Sequence, residues 1–330
     1  MTRRVQQIPL VCHGHSRPIV DISYSPVTED GYFLMSASKD GKPMIRDGES
    51  GDWIGTFEGH KGAVWSASLN LPATHAVTGA ADFSARVWNA ITGDELYSFQ
   101  HKHIVRTAMF SQDSHYILTG GMEKKLRIFN LSRPDADPVV LEGLPSGIRQ
   151  AVWFDNDQLI LCACNDTNNI SLWDVRSLTQ VKVLPTTGPV TNIELSRQGS
   201  WMTTCAGRDI AFWKADKLEM VTTHQMEFEM ESASLHPEGD KFVAGGEDMW
   251  VRLYDFNTGG ELECNKGHHG PVHCVRFAPD GESYASGSED GTIRIWSTMT
   301  AAEQEEAAEE AEAVGHKLDT LKIQENGIEN

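Results

Sequence analysis

The sequence predicts an all-β protein, a seven-bladed β-propeller closed by its N-terminal strand and followed by a short acidic tail. A segment of about 40 residues, the period of propeller blades, occurs seven times. The segments start at Gly14, Gly59, Gln100, Gly143, Pro185, Gln225 and Gly267, so successive starts lie 45, 41, 43, 42, 40 and 42 residues apart. Apolar residues alternate with polar ones in each segment, as in β-strands. No apolar run approaches the length of about 18 residues that a membrane span needs.

The last segment shows the order of elements that all seven follow. An alternating run starts at Pro271 and ends in the turn Pro279-Asp280-Gly281. A small-residue strand over 284–288 and a tight acidic turn lead to an apolar strand that ends at Trp296. Pro presets φ and Gly accepts a positive φ, so the turn has a physical basis in its residues. This order predicts strands joined by tight turns.

The segments resemble the WD40 repeat over residues 5–297. In that family the opening His, a Ser or Thr of the second strand, the turn Asp and the third-strand Trp form a buried hydrogen-bonded tetrad. The resemblance assigns complete tetrads to His60, Thr78, Asp82 and Trp88 and to His268, Ser286, Asp290 and Trp296, and a partial one to His15, Ser36 and Asp40. Buried polar groups need partners, so we expect the loss of one member to cost about 1–3 kcal/mol.

The remaining repeats depart from the tetrad pattern. Arg46 stands where the first repeat needs its Trp, and Glu123 replaces the turn Asp of the third. The equivalents of the opening His in the fourth, fifth and sixth repeats are Leu144, Thr186 and Met226. The fifth and sixth repeats are therefore the ones that the pattern predicts least firmly.

Two segments lie outside the seven repeats. Residues 8–12 precede the first Gly-His and resemble the strand that completes the last blade of WD40 propellers, which removes an open sheet edge. After Trp296 the composition shifts to Ala and Glu, so we divide the chain into a propeller, 1–297, and a tail, 298–330, that is helical or disordered. Alternatively, Val314, Leu318 and Leu321 form a small apolar face that docks on the propeller or a partner.

Charge and motifs disfavour several classes of function. The chain carries 28 Lys and Arg against 47 Asp and Glu, a net charge of −19, whereas binding to nucleic-acid phosphates needs cations. Six cysteines without a CxxC pair indicate reduced thiols rather than a disulfide framework. His268, His269, His273 and Cys274 lie close in sequence, but His273 and Cys274 point to opposite faces of one strand. We therefore predict no metal, no cofactor and, in the absence of phosphate-loop or nucleophile motifs, no enzyme.

The WD40 resemblance also indicates a surface for partners. Such propellers dock partners on the face built from the start of the first strand and the residue before the turn acid. The residues at these positions are Lys39, Trp65, Arg106, Arg149, Glu231, Glu247, His273 and Glu289. The basic residues fall on repeats one to four and the acidic ones on six and seven, which predicts a basic sector facing an acidic one. Trp and Arg often anchor interfaces, but Trp65 could equally pack against a neighbouring blade.

Longer stretches resemble one branch of the WD40 proteins, the kinase receptor-associated family. They cover residues 31–34, 39–44, 51–57, 59–65, 101–105, 232–237 and 244–248. This resemblance implies a non-catalytic scaffold that associates with the SMN complex, through Gemin subunits, in the cytoplasmic assembly of Sm-class spliceosomal ribonucleoproteins. In animals it also implies association with receptor serine/threonine kinases of TGF-β signalling. We therefore expect protein partners, indirect contact with RNA and none with DNA, in the cytoplasm and as a second compartment the nucleus.

Two other functions stay open. The first is that of another WD40 scaffold, the i subunit of eukaryotic initiation factor three, whose repeats are related. The second is direct RNA binding, which the acidic balance disfavours but which Arg106 and Arg149 would support.

Overall fold

The protein folds into seven four-stranded antiparallel sheets. The computed structural model describes residues 6–196, 199–300 and 303–304. Within each blade the strands pair antiparallel in their sequence order, except that the N-terminal strand pairs with the last strand of the chain's final blade. The strands are β1 (Leu10–Cys12); in blade one β2 (Ile19–Tyr24), β3 (Phe33–Ser38), β4 (Met44–Asp47) and β5 (Trp53–Thr56); in blade two β6 (Val64–Leu69), β7 (His75–Ala80), β8 (Ser84–Asn89) and β9 (Glu95–Gln100); in blade three β10 (Val105–Phe110), β11 (Tyr116–Gly121), β12 (Leu126–Asn130) and β13 (Val139–Leu141); in blade four β14 (Ile148–Phe154), β15 (Leu159–Cys164), β16 (Asn169–Asp174) and β17 (Thr179–Pro185); in blade five β18 (Val190–Leu195), β19 (Trp201–Ala206), β20 (Asp209–Lys214) and β21 (Glu219–Gln225); in blade six β22 (Met230–Leu235), β23 (Lys241–Gly246), β24 (Val251–Asp255) and β25 (Glu261–Asn265); and in blade seven β26 (Val272–Phe277), β27 (Ser283–Ser288) and β28 (Ile293–Ser297). The predicted seven-bladed propeller is confirmed, and blades five and six are complete four-stranded sheets despite their weak motifs.

The N-terminal strand closes the ring as predicted. β1 is the fourth and outermost strand of blade seven, antiparallel to β28, with Leu10 opposite Ile295 and Cys12 opposite Ile293. Gln7 extends this contact, because its amide donates to a carboxylate oxygen of Glu263 at 2.6 Å and to the carbonyl of Ser297 at 3.2 Å. The first and last parts of the chain thus hold the final blade together.

The hydrophobic core lies between neighbouring blades. Between blades six and seven, for example, Val243 and Leu253 pack with Val272 and Trp296, all nearly without solvent exposure. The blades approach so closely that a Cβ on Gly245 of β23 would lie 2.6 Å from Val272. A larger residue there would push the blades apart, so the glycine is a packing requirement.

The tight turns between the second and third strands share one backbone feature. The residue after the turn acid has a positive φ in five blades, among the described residues, and it is Gly41 in blade one and Gly291 in blade seven. In the other three it is Phe83, Lys124 or Met249, each in the left-handed region that costs a non-glycine residue some energy.

The predicted tail begins after β28. Residues 301–302 and 305–330 lie outside the described residues, as do Val314, Leu318 and Leu321. Among the residues that are described, no helix is long and apolar enough to cross a membrane.

Candidate partner-binding site

The first strand of each blade, here called the inner strand, has the same irregularity at its start. In each of β2, β6, β10, β14, β18, β22 and β26, the pairing register with the next strand shifts across the second residue. In β10 the shift lies between Val105 and Thr107, so Arg106 has no partner in the ladder. β-bulges of this kind re-aim a side chain away from the sheet.

The skipped residues meet at one end of the central channel. A cavity of about 270 Å³, here called the channel mouth, is lined by residues from all seven inner strands and by Lys39. Of the eight residues that the sequence predicts for a partner-binding face, six line this cavity: Lys39, Trp65, Arg106, Arg149, Glu231 and His273. The other two do not line it: Glu289 contacts Lys39, which does, and Glu247 has an exposed side chain. The sequence pattern therefore identifies residues that come together around one cavity, and their role in partner binding stays a prediction.

The charges of the mouth are arranged differently from the two separate sectors that the sequence predicts. Arg149 of blade four reaches across blade five to Glu231 of blade six, with 3.0 Å between Nη2 and Oε2. Glu289 accepts from His273 at 2.7 Å and lies 3.4 Å from Lys39 Nζ. The hydrogen bond from His273, with the charge of Lys39, lowers the pKa of Glu289. The cations and anions therefore meet as ion pairs around the mouth.

Arg106 and Trp65 contact each other in the lining of the mouth. The guanidinium carbon of Arg106 lies 3.9 Å from the centroid of the Trp65 ring, and the ammonium of Lys39 lies 5.9 Å from the same centroid. Burial, with the nearby charge of Arg149, lowers the pKa of Arg106 to about 10, so it remains a cation at neutral pH. Trp65 is half-buried and packs against Arg106 of the neighbouring blade. It therefore combines the two predicted environments, partial exposure on the face and packing against a neighbouring blade.

Sequence reasoning missed two charged residues deeper in the channel, Asp21 and Arg276. Both line the same cavity, and Asp21 accepts a long hydrogen bond of 3.4 Å from the backbone N–H of Ala67. Arg276 lies 3.6 Å from Glu194 and donates to Ser232 at 3.0 Å. A sequence signal for Asp21 existed: it is an acid at the position directly after the skipped residue of β2. The equivalent positions in the next two blades hold the neutral residues Ser66 and Thr107.

Because Asp21 is poorly hydrated, its contribution to the stability of the fold depends on pH. Loss of hydration raises its pKa to about 6, against the opposing charge of Arg276, while Arg106 and Cys274 are its other titratable neighbours. A folded-state pKa above the unfolded value means that the folded chain holds this proton more tightly. The contribution of this proton to the unfolding free energy is complete below about pH 4, and it is lost as the pH rises through 6.

We expect Asp21→Asn to remove this pH dependence. The unfolding free energy of the variant relative to the parent should rise by about 1 kcal/mol between pH 5 and pH 7.5, because only the parent must ionise a poorly hydrated carboxyl. Urea denaturation at the two pH values measures this. A difference between variant and parent that is the same at both pH values would contradict the assignment.

The predicted tetrads are connected by hydrogen bonds. In blade two His60 Nδ1 lies 2.8 Å from Asp82, its Nε2 lies 2.7 Å from the Thr78 hydroxyl, and Trp88 Nε1 donates to that hydroxyl at 2.9 Å. Burial raises the pKa of Asp82, but hydrogen bonds from His60 and Ser84 outweigh it and leave the pKa below its usual range. The turn acid also accepts from the backbone N–H of Lys61. The network therefore fixes the tight turn between β7 and β8.

Blades seven and one use the same geometry. His268 lies 3.0 Å from Asp290 and 2.8 Å from Ser286, and Trp296 donates to Ser286 at 2.9 Å. In blade one His15 lies 2.9 Å from Asp40 and 2.8 Å from Ser36. Arg46 occupies the Trp position there, is almost fully buried, and donates to the carbonyls of His13 and Gly51 instead.

Blade three keeps only half of the network. His101 Nε2 lies 2.9 Å from the Thr119 hydroxyl, but Nδ1 contacts the carbonyl of Phe99 instead of the turn acid. The longer side chain of Glu123 pairs with Arg127 and with the backbone N–H of Lys102. Burial, with the charge of Arg127, lowers the pKa of His101 to about 4, so its ring is neutral at pH 7.

Comparison with known proteins identifies relatives of the same architecture. The family profile described as "WD domain, G-beta repeat" matches residues 51–89, 93–130 and 260–297. A serine-threonine kinase receptor-associated protein of Gallus gallus is 52% identical over 274 residues, which are 83% of this chain and 78% of that protein. One of Dictyostelium discoideum is 48% identical over 82% of this chain and 92% of its own length. Subunit I of eukaryotic translation initiation factor 3 from Drosophila simulans is 30% identical over 82% of this chain and 90% of its length.

Proposed function

The chain belongs to the WD40 family of serine-threonine kinase receptor-associated proteins, and we propose on this premise that its channel mouth docks the subunits of an assembly complex. At the coarser level the protein is a protein-interaction scaffold. The observation that carries the proposal is identity near 50% across most of the chain, with relatives from Gallus gallus to Dictyostelium discoideum. The mouth supports it, because Trp and Arg stacked in a half-buried cleft are typical interface anchors.

The partners that we propose are those that the sequence resemblance implies. They are SMN, Gemin and Sm-type subunits, in the assembly of spliceosomal ribonucleoproteins in the cytoplasm, with a second pool in the nucleus. Association with receptor serine/threonine kinases is proposed only for an animal source, since the relatives take their name from that association. RNA enters this function through the partners.

Affinity purification from native extract, followed by mass spectrometry, tests the proposal. We expect SMN, Gemin and Sm proteins among the captured subunits. Recovery of initiation-factor subunits without any of them would overturn the proposal in favour of the initiation-factor role, to which the 30% identity points more weakly. Binding of RNA by the purified chain that falls steeply with salt would instead favour the direct RNA-binding alternative.

Reversal of one charge tests whether the mouth is the docking surface. We expect Arg106→Glu to reduce the capture of these subunits at least tenfold, because it removes the Trp65 stack and places an acid near Glu231. Arg133→Glu is the matched control, since Arg133 is exposed in the turn after β12 and does not line the mouth. Equal capture by Arg106→Glu and the parent, with unchanged melting temperatures, would place the docking surface elsewhere.

A further inference from the structure

Arg106 is a cation without an anion of its own. Its guanidinium stacks on Trp65, but none of its N–H groups donates to an acceptor among the described residues, and no carboxylate there lies within ion-pair distance. The Nε1–H of Trp65 is buried and also has no acceptor in the described part of the chain. Both unmatched groups are donors, so what this part of the mouth lacks is an acceptor.

We propose that the channel mouth binds a single carboxylate side chain, an Asp or Glu of the docked partner, at the free edge of the Arg106 guanidinium. The inference rests on the proposed function, because it names the chemistry that the docking surface recognises. A guanidinium that stacks on an indole uses its flat face and leaves its in-plane N–H groups free. A carboxylate matches that edge with two parallel hydrogen bonds.

The acids in the mouth and beside it do not provide this partner. Glu231 is paired with Arg149, and Glu289 is shared by Lys39 and His273. Asp21 lies deeper, accepts from the backbone of Ala67, and is close enough to Arg106 to influence its pKa but not to pair with it. Leaving a desolvated guanidinium without an ion partner costs free energy, and a carboxylate from outside would recover it.

The same arrangement argues against a cationic ligand. An incoming Arg or Lys would meet Arg106 and Arg149 in the lining of the mouth, while the acids that could attract it already have cations beside them. A phosphate group is also disfavoured, since its second charge would lie close to Glu231, Asp21 and Glu289. The cavity of about 270 Å³ has room for one inserted side chain and little more. The chemistry therefore selects a monoanion on a peptide.

Four nine-residue peptides in one Ser/Gly background, with a central Glu, Gln, Arg or phosphoserine, test the inference on the full chain. The indole ¹H–¹⁵N resonance of Trp65, assigned by Trp65→Phe, reports occupancy of the mouth. We expect the Glu peptide to shift this resonance, with an affinity at least tenfold higher than that of any of the other three. Arg106→Gln should abolish the shift, Arg106→Lys should weaken it, and Arg133→Gln should leave it unchanged.

Three outcomes would overturn the inference: equal binding of the Glu and Gln peptides, preference for the Arg or phosphoserine peptide, or a Glu-dependent shift that survives in a folded Arg106→Gln chain. These outcomes are distinguishable from failure of the proposed function. If extracts yield SMN-type subunits but the Glu peptide has no advantage, only the carboxylate inference fails. If the Glu peptide binds selectively but extracts yield other partners, only the identity of the assembly fails.

Discussion

Removal of residues 1–12 should lower the melting temperature of the chain by about 5–15 °C. The deletion takes away the fourth strand of blade seven, so β28 becomes an open edge and Ile293 and Ile295 lose the strand that covers them. It also removes Cys12, which is 5% exposed and packs in the cluster between blades seven and one. Lost strand pairing, the lost Gln7 hydrogen bonds and the cavity left by Cys12 together cost about 3–5 kcal/mol.

Differential scanning calorimetry of the truncated and parent chains measures this shift. Ile8→Ala is the matched control, because Ile8 belongs to the removed segment but is 95% exposed. Its melting temperature should stay within about 1 °C of the parent value, as is usual for exposed positions. A truncated chain that melts at the parent temperature would mean that the contact between β1 and β28 does not stabilise the ring.

The blades could be predicted from the sequence because their determinants are local. The turn at Asp290 and Gly291, the small residues of β27 and the apolar strand that ends at Trp296 each follow from a few neighbouring residues. Blades five and six lack the opening His, which is replaced by Thr186 and Met226, and still form complete sheets. Neighbouring blades cover both of their faces, as the Val243 and Val272 contact shows, so a closed ring imposes the fold on weaker repeats.

The channel mouth could be predicted only in part. The position of Arg106 in its strand places it on the face, but its stacking partner, Trp65, comes from another blade. The pair of Arg149 and Glu231 joins blades four and six, which requires the ring to be closed before the distance is known. The order of charged residues along the chain therefore predicts which charges occur in the mouth, but it does not predict which of them form ion pairs. Asp21 was missed because a single acid in a strand has no distinctive spacing.

Substitution of Thr78 by Val should destabilise the chain by about 2–5 kcal/mol. Val has almost the shape of Thr, so the change removes one hydroxyl from a fully buried position and leaves the packing in place. That hydroxyl serves two groups: His60 Nε2 at 2.7 Å, and Trp88 Nε1–H at 2.9 Å. The variant therefore leaves His60 Nε2 and the Trp88 indole N–H buried without their shared hydrogen-bond partner.

The third blade supplies the matched comparison for that prediction. Thr119 is equally buried, and its hydroxyl lies 2.9 Å from His101 Nε2. Phe129 occupies the Trp position, and its side chain has no group that could donate a hydrogen bond to this hydroxyl. Thr119→Val therefore leaves one group without a partner, and we expect it to cost about 1–3 kcal/mol, roughly half the effect at Thr78. Urea denaturation of both variants gives the ratio. Equal losses at the two positions would show that the hydroxyl matters through its own burial and backbone contacts, and that the Trp88 hydrogen bond adds nothing to the stability of the tetrad.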